Sequence, residues 1–384
     1  MTGPCAVCGS AVEVVYESSS GQALTSLCTL LDQPTVVAAC PTCGHLQTPP
    51  IGDLDAYYAT AYRILLASEE EDQIYAVTDG RIEYRAERQA AGFLATVPLP
   101  ADARVLDYGA AKGATMRRVR AERPDVQLHF FDVSDMYVDH WRTLVADDAF
   151  ATFEAPAAWT GSFDVVSSFF MLEHVAQPTE VVAAMADLVR PGGTIYAIVP
   201  DPFVNVGDFV VVDHTNHFTR PALERLFTDA GFEAVTVDGD AYAGAWVVDA
   251  RKPASGATPA PGGATSPVAV ALERARELAG YWSSAHARVV AAEQAARGPL
   301  AIYGAGFYGS FVRANLAHPD AVVAYVDQNP HLIGTEHDGR PVVAPADLGA
   351  EVTDVVVGLN PLHARSIVAD IEAWHGRDLG LHFL

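Results

Sequence analysis

The stretch Val105-Leu106-Asp107-Tyr108-Gly109-Ala110-Ala111-Lys112-Gly113 constrains this chain more than any other. An apolar run ends in an acid and then in a turn that carries Gly109 and Gly113, with Ala110 between them. Glycine takes positive φ angles freely and puts no Cβ between the backbone and a ligand. A strand, a turn and a helix that offer backbone to a nucleotide-like molecule are therefore predicted. A second apolar run, Leu128 to Phe131, ends in Asp132 about 20 residues further on, where an acid that accepts from ribose hydroxyls is expected. The pattern fits any βαβ unit of a doubly wound sheet, and the middle position of the usual Gly-x-Gly-x-Gly is Ala111.

Four of the five cysteines fall in two pairs, Cys5-x-x-Cys8 and Cys40-x-x-Cys43. This is the spacing of a four-thiolate structural zinc site, two ligands from each tight turn. Gly9 and Gly44 follow the pairs directly, as a turn that needs a residue without Cβ requires. Disulfides and redox dithiols are the rival readings; an intracellular chain disfavours stable disulfides, and neither pair opens a βαβ pattern. Cys28 reads as a small buried hydrophobe.

At 384 residues the chain has room for two or three domains. Its net charge of -24 argues against nucleic acid as a partner, because phosphate binding needs clustered Lys and Arg. No apolar run approaches the roughly 18 residues of a membrane span, and the start lacks a basic region followed by an apolar core. A cytoplasmic protein without membrane contact is expected. Residues 1–52 read as a zinc module, 53–252 as an α/β core with a helical lead-in, 253–267 as a linker rich in Ala, Gly, Ser, Thr and Pro, and 268–384 as a second α/β unit.

Periodicity predicts an amphipathic helix near Ile82 to Leu94, then strand 104–107, helix 113–122, strand 128–131, helix 136–146, strand 164–168 and helix 178–189. A turn at Pro191-Gly192-Gly193, strand 194–199, helix 220–229 capped by Thr219, and strands 233–237 and 245–250 complete the core. A helix over 268–296 leads into Tyr303-Gly304-Ala305-Gly306-Phe307-Tyr308-Gly309, a full Gly-x-Gly-x-x-Gly, and strand 321–326 ends in Asp327. Alternating strands and helices imply mainly parallel sheets with ligands at the strands' carboxyl ends.

The glycine-bearing turn with Asp132 resembles the layout of class I S-adenosylmethionine methyltransferases. Together with the two cysteine pairs and the second glycine motif, the order of parts resembles the three-domain nucleotide-sugar C-methyltransferases. Cys40-Pro41-Thr42-Cys43-Gly44-His45-Leu46-Gln47 is similar to the end of that family's zinc module. Tyr303-Gly304-Ala305-Gly306 and Asp327-Gln328-Asn329-Pro330 are similar to its C-terminal Rossmann-like domain. The resemblance implies a class I methyltransferase doubly wound sheet, with S-adenosylmethionine and structural zinc as cofactors. It also implies a nucleotide-linked keto-deoxysugar as substrate, in antibiotic or other secondary-metabolite biosynthesis. The C-terminal domain then serves as a docking wall for the nucleotide sugar; an NAD site with Asp327 on the ribose is the other reading of its glycines. The family's Tyr-His-Glu-His cluster is matched here by Val211-Val212-Asp213-His214, so the tyrosine is replaced and the acid shortened.

The resemblance makes His214 the catalytic base, Asp213 its orienting acid and His174 a nearby helper. Gly109, Ala110, Gly113 and Asp132 are expected around the cofactor. Tyr62, Asn216 and His217 are expected at the substrate, and Cys5, Cys8, Cys40 and Cys43 on zinc. A neutral imidazole suits removal of a proton from a carbon next to a ketone, since the enolate spreads its charge onto the carbonyl oxygen. Transfer to oxygen or nitrogen of the same substrate class remains the alternative, with an NAD-binding oxidoreductase or a non-catalytic binding protein behind it.

Overall fold

A computed structural model describes residues 3–52, 72–78, 81–254 and 266–384. Tyr62 and most of the expected linker lie outside the described residues.

The central sheet has seven strands: β1 (Arg104–Tyr108), β2 (Gln127–Asp132), β3 (Phe150–Thr152), β4 (Phe163–Phe169), β5 (Val189–Pro200), β6 (Glu233–Tyr242) and β7 (Ala245–Arg251). Their order is β3-β2-β1-β4-β5-β7-β6. The first five are parallel, and β7 pairs antiparallel with both β5 and β6. Val105, Leu106, Val165, Val166 and Ile195 are all buried, as strands covered by helices on both faces require. Chain order reverses between β1 and β4, and the crevice at the carboxyl ends of such a pair is where doubly wound sheets bind ligands. This is a class I methyltransferase α/β fold.

Helices Ala114–Glu122, Pro178–Leu188 and Arg220–Asp229 stand where periodicity puts them. Three expectations shift. Residues Arg81–Tyr84 form a strand paired with Ile74–Thr78, and the helix begins only at Arg85. The helix expected over 136–146 is cut to Val138–Arg142, where the Thr143 hydroxyl donates to the His140 carbonyl and competes with the helix ladder. Thr219 occupies the position before helix Arg220–Asp229, but its hydroxyl donates to the carbonyl of Gly44 instead of capping the helix.

The N-terminal residues form a four-stranded antiparallel sheet from Glu13–Glu17, Val36–Ala39, Leu46–Gln47 and, from far along the chain, Asn216–His217. The C-terminal residues form a six-stranded sheet around Leu300–Tyr303. There the glycine motif serves strand–helix contact: a Cβ on Gly309 would run into the carbonyl oxygen of Gly304, and Asp327 accepts from the amide of Ala305 at 2.8 Å. Helix Val268–Ala295 joins the parts. Its Ala271, Ala275 and Trp282 pack into the core that includes Cys5, Cys40 and Phe209, while Val289 and Ala292 pack with the C-terminal sheet. Among the described residues, no helix is long and apolar enough to cross a membrane.

Candidate active site

The loop after β1 delivers the geometry that its glycines imply. Gly109 and Gly113 take φ of 77° and 71°, and Ala111 is forced into the same left-handed region at 43°. A Cβ on Gly109 would lie 2.9 Å from Cβ of Met171, and one on Gly113 would lie 2.9 Å from Cε1 of Phe130. The loop is held from outside: Asp132 accepts from the amide of Ala111 at 3.0 Å, and the Trp141 indole donates to the Ala111 carbonyl at 2.7 Å. Burial raises the Asp132 carboxyl above its ordinary range while the amides of Ala111 and Ser134 pull it back. Asp107, buried at the end of β1, is pushed up to about 7 by desolvation and receives a bond from the Ser167 hydroxyl at 3.0 Å.

This loop opens into a cleft of about 1550 Å³. Phe169, Phe170 and Met171 at the end of β4 line it, as do Glu173, His174 and His214. Phe170 holds φ of 54°, with the Arg85 guanidinium 4.0 Å over its ring; such strain in a bulky residue gathers at working sites. Ser26 and Leu27 reach the cleft from the N-terminal part, and Asn360 and His363 from the C-terminal part.

His214 and His174 meet edge to face, ring centroids 4.6 Å apart. The Nδ1 of His214 lies 2.6 Å from Oδ1 of Asp208, a residue of the 3-10 turn Val206–Val210. This corrects the expectation for Asp213, whose carboxylate accepts instead from the amide and hydroxyl of Ser26, at 2.6 and 2.7 Å. Val212 and Asp213 lie in a turn, and the two bonds from Ser26 fix the carboxylate on the side of the N-terminal residues. Asp208 shares its second oxygen with Nδ1 of His217 at 3.0 Å.

Burial alone would depress His214, but Asp208 reverses that, and with help from Asp213 and Glu173 raises it to about 9. Burial acts against the Asp208 anion too, yet the two histidines hold that carboxyl well below its usual range. His174 is driven well below its ordinary value by burial and by the neighbouring His214. Glu173 is pushed up to about 7 by desolvation, and among the described residues its buried Oε2 has no hydrogen-bond partner. At neutral pH the site thus holds an imidazolium–carboxylate pair beside a neutral imidazole. Donor atoms of Glu173, His174 and His214 lie within 4.8 Å of one another.

Asn216 and His217 do not line this cleft, which corrects their expected place at the substrate. Both are buried, and their side chains are engaged behind the wall. The Asn216 amide donates to the carbonyls of Leu172 and Val175 at 3.1 and 2.7 Å, and its Oδ1 lies 3.1 Å from Nε2 of His45. His217 bridges Asp208 and Thr48, 2.9 Å from the Thr48 hydroxyl.

The four thiols Cys5, Cys8, Cys40 and Cys43 come together with all sulfurs within 4.8 Å of one another. Gly9 and Gly44 take φ of 70° and 76°, and their amides donate to the carbonyls of Cys5 and Cys40, closing the two turns. The hydrogen bond between the two thiols lowers Cys5 to about 5, while that bond and burial push Cys43 up, so one thiolate is shared within the set. Donor type, number and convergence fit a tetrahedral zinc ion.

Residues 81–237 match the methyltransferase-domain family. The ubiquinone biosynthesis O-methyltransferase of Xanthomonas axonopodis pv. citri is 32% identical over 157 residues, 38% of this chain and 59% of that protein. The homologue from Xanthomonas campestris pv. campestris strain B100 is 33% identical over the same shares. The chain thus spans 59% of the length of these curated relatives. Human N-acetylserotonin methyltransferase, solved in complex with SAM, superimposes with a TM-score of 0.36 at 16% identity, over 44% of this chain and 53% of that one. An O-methyltransferase family protein from Burkholderia thailandensis gives 0.33 at 18% identity, over 40% and 52%. Residues 81–237 thus carry a methyltransferase domain of class I fold.

Proposed function

We propose that the chain methylates a nucleotide-linked keto-deoxysugar at a carbon next to the ketone, with His214 as the base. The observation that carries this is the buried pair of His214 and Asp208 on the wall of a cleft that the glycine loop also opens into. A carboxylate on Nδ1 fixes the ring and its tautomer and strengthens the base, and Nε2 is the nitrogen that Asp208 leaves to the substrate. S-adenosylmethionine, when bound, supplies an electrophilic methyl group on a positively charged sulfur. Gly109, Ala110 and Gly113 give it backbone to approach, and Asp132 accepts from its ribose hydroxyls. His214 takes the α-proton, and the neutral His174 beside it orients the sugar oxygen. Drug-sized ligands occupy clefts of about 300–1,000 Å³. The 1550 Å³ here supports a donor together with a second large substrate, and Ser26, Leu27, Asn360 and His363 extend its walls beyond the central sheet.

Transfer to a sugar oxygen is the second reading, favoured by relatives named as O-methyltransferases and by Val211 in place of the tyrosine. Incubation with methyl-labelled donor and a panel of nucleotide-linked 4-keto sugars, read by mass spectrometry, is expected to give a new carbon–carbon bond. Without donor, the substrate's α-proton should exchange with deuterated water. An oxygen-linked product with no exchange replaces the first reading by the second. A chain that binds S-adenosylmethionine but methylates none of the panel sinks both.

A further inference from the structure

The segment from Val212 to Thr219 belongs to no long element, yet nearly every residue in it is tied to the N-terminal part of the chain. The Val212 amide donates to the Leu24 carbonyl at 3.0 Å, and Ser26 clamps the Asp213 carboxylate through two bonds. The Thr48 amide donates to the Thr215 carbonyl at 3.1 Å. Asn216 and His217 pair as a strand with Gln47 and Leu46, and Thr219 reaches Gly44 at 3.0 Å. His214 is the exception: its ring turns into the cleft.

A second chain of bonds runs from the same N-terminal strand to that ring. The Thr48 hydroxyl stands 2.9 Å from Nε2 of His217, His217 Nδ1 stands 3.0 Å from Asp208 Oδ2, and Asp208 Oδ1 stands 2.6 Å from His214 Nδ1. The Thr48 hydroxyl and the Asp208 carboxylate thus hold the two ring nitrogens of His217 between them. Outer partners of this kind set both the direction and the basicity of the ring that they reach.

We propose that the cysteine-bearing N-terminal part is the positioning device of the active site, acting on His214 through Ser26–Asp213 on its backbone side and through Thr48–His217–Asp208 on its ring. Ser26, Thr48 and His217 are positioning residues; none of them acts on the reacting atoms. The proposal deepens the reading of His214 as the base and rests on it for its catalytic meaning, while the placement and protonation of the ring are measurable without substrate. The groups that face His214 are Asp208 of the 206–210 turn, Asp213 of its own segment, and Glu173 and His174 of the 3-10 turn Leu172–His174.

The test is an NMR titration of the His214 ring in full-length, zinc-loaded protein with isotope-labelled histidine, the resonance assigned with His214→Gln. In His217→Ala the second oxygen of Asp208 loses its Nδ1 partner, so the carboxylate pulls harder on the proton shared with His214, and the His214 midpoint should rise by about half a pH unit or more. His217→Asn puts an amide N–H where Nδ1 was and should return the midpoint to the wild-type value. Thr48→Val removes only the hydroxyl and should release the His217 tautomer, read from its ring nitrogen shifts; it serves equally if His217→Ala does not fold. Ser26→Ala should broaden the His214 signal as its backbone gains freedom. A midpoint unmoved in His217→Ala, together with an unchanged His217 tautomer in Thr48→Val, overturns the proposal. If the titration responds as described and the enzyme shows no α-proton exchange, the positioning stands and the base reading is what fails.

Discussion

His214 draws its chemistry from a carboxylate six positions before it, on a 3-10 turn that the linear sequence does not single out. Val206-Gly207-Asp208-Phe209-Val210 reads as an apolar stretch with one acid, and only the fold shows that acid wholly buried between two imidazoles. The consequence for pH follows from the direction of the shift. His214 is raised from 6.5 to about 9, so the basic form is the minority at neutral pH. The rate of α-proton exchange should therefore climb about tenfold per pH unit and level off only near pH 9. In Asp208→Asn the largest charge that raises His214 is gone while Asp213 and Glu173 remain, so the midpoint should fall from about 9. The profile should then level off at a lower pH than in the wild type, at a lower plateau, because the ring has lost the carboxylate that orients it. A mutant profile that keeps the wild-type limb near pH 9 would show that Asp208 does not govern this base.

The first βα turn was the most legible element, and the reasons are local: an apolar run, an acid at the strand end, and glycines where φ is positive. The same logic found the cysteine turns and most of the parallel strands. It missed the pairing of Asn216–His217 with Leu46–Gln47, because no periodicity in either segment announces a partner about 170 residues away. It therefore placed those two residues at the substrate, when their side chains are engaged inside the wall. Asp213 differs from expectation for a related reason, since sequence adjacency to His214 says nothing about which side its carboxylate takes. At the glycine turn itself, Gly113→Ala should be costly. A left-handed residue with a Cβ costs about 1–2 kcal/mol, and overpacking against the fully buried Phe130 adds about 1–3 kcal/mol. Urea unfolding should show that loss, with S-adenosylmethionine affinity falling alongside it in calorimetry. Ala111→Gly is the control, because it relieves a φ of 43° and should leave stability unchanged or raise it by up to about 1 kcal/mol. Equal behaviour of the two variants would mean that the turn does not have this geometry.

At the scale of the whole molecule, the donor end and the base end of the cleft hang on different supports. Among the described residues, Phe131 and Asp132 of β2 and Trp141 of the short helix after it bond to the glycine loop. The base segment is instead stitched to residues 24–48, the stretch that also carries Cys40 and Cys43. Removing a thiolate from a four-cysteine site releases the metal and the folding free energy coupled to it. Cys40→Ser should therefore lose zinc by metal analysis and loosen the small antiparallel sheet whose last strand is Asn216–His217. Because sites far apart with no shared partners behave almost independently, S-adenosylmethionine affinity in that variant should stay within about threefold of wild type. Proton exchange at the sugar carbon should collapse, since that step alone needs His214 held in place. Calorimetry with the donor and exchange in deuterated water, run on the same preparation, separate the two effects. A parallel loss of donor affinity would mean that the N-terminal part supports the whole cleft and not the base in particular.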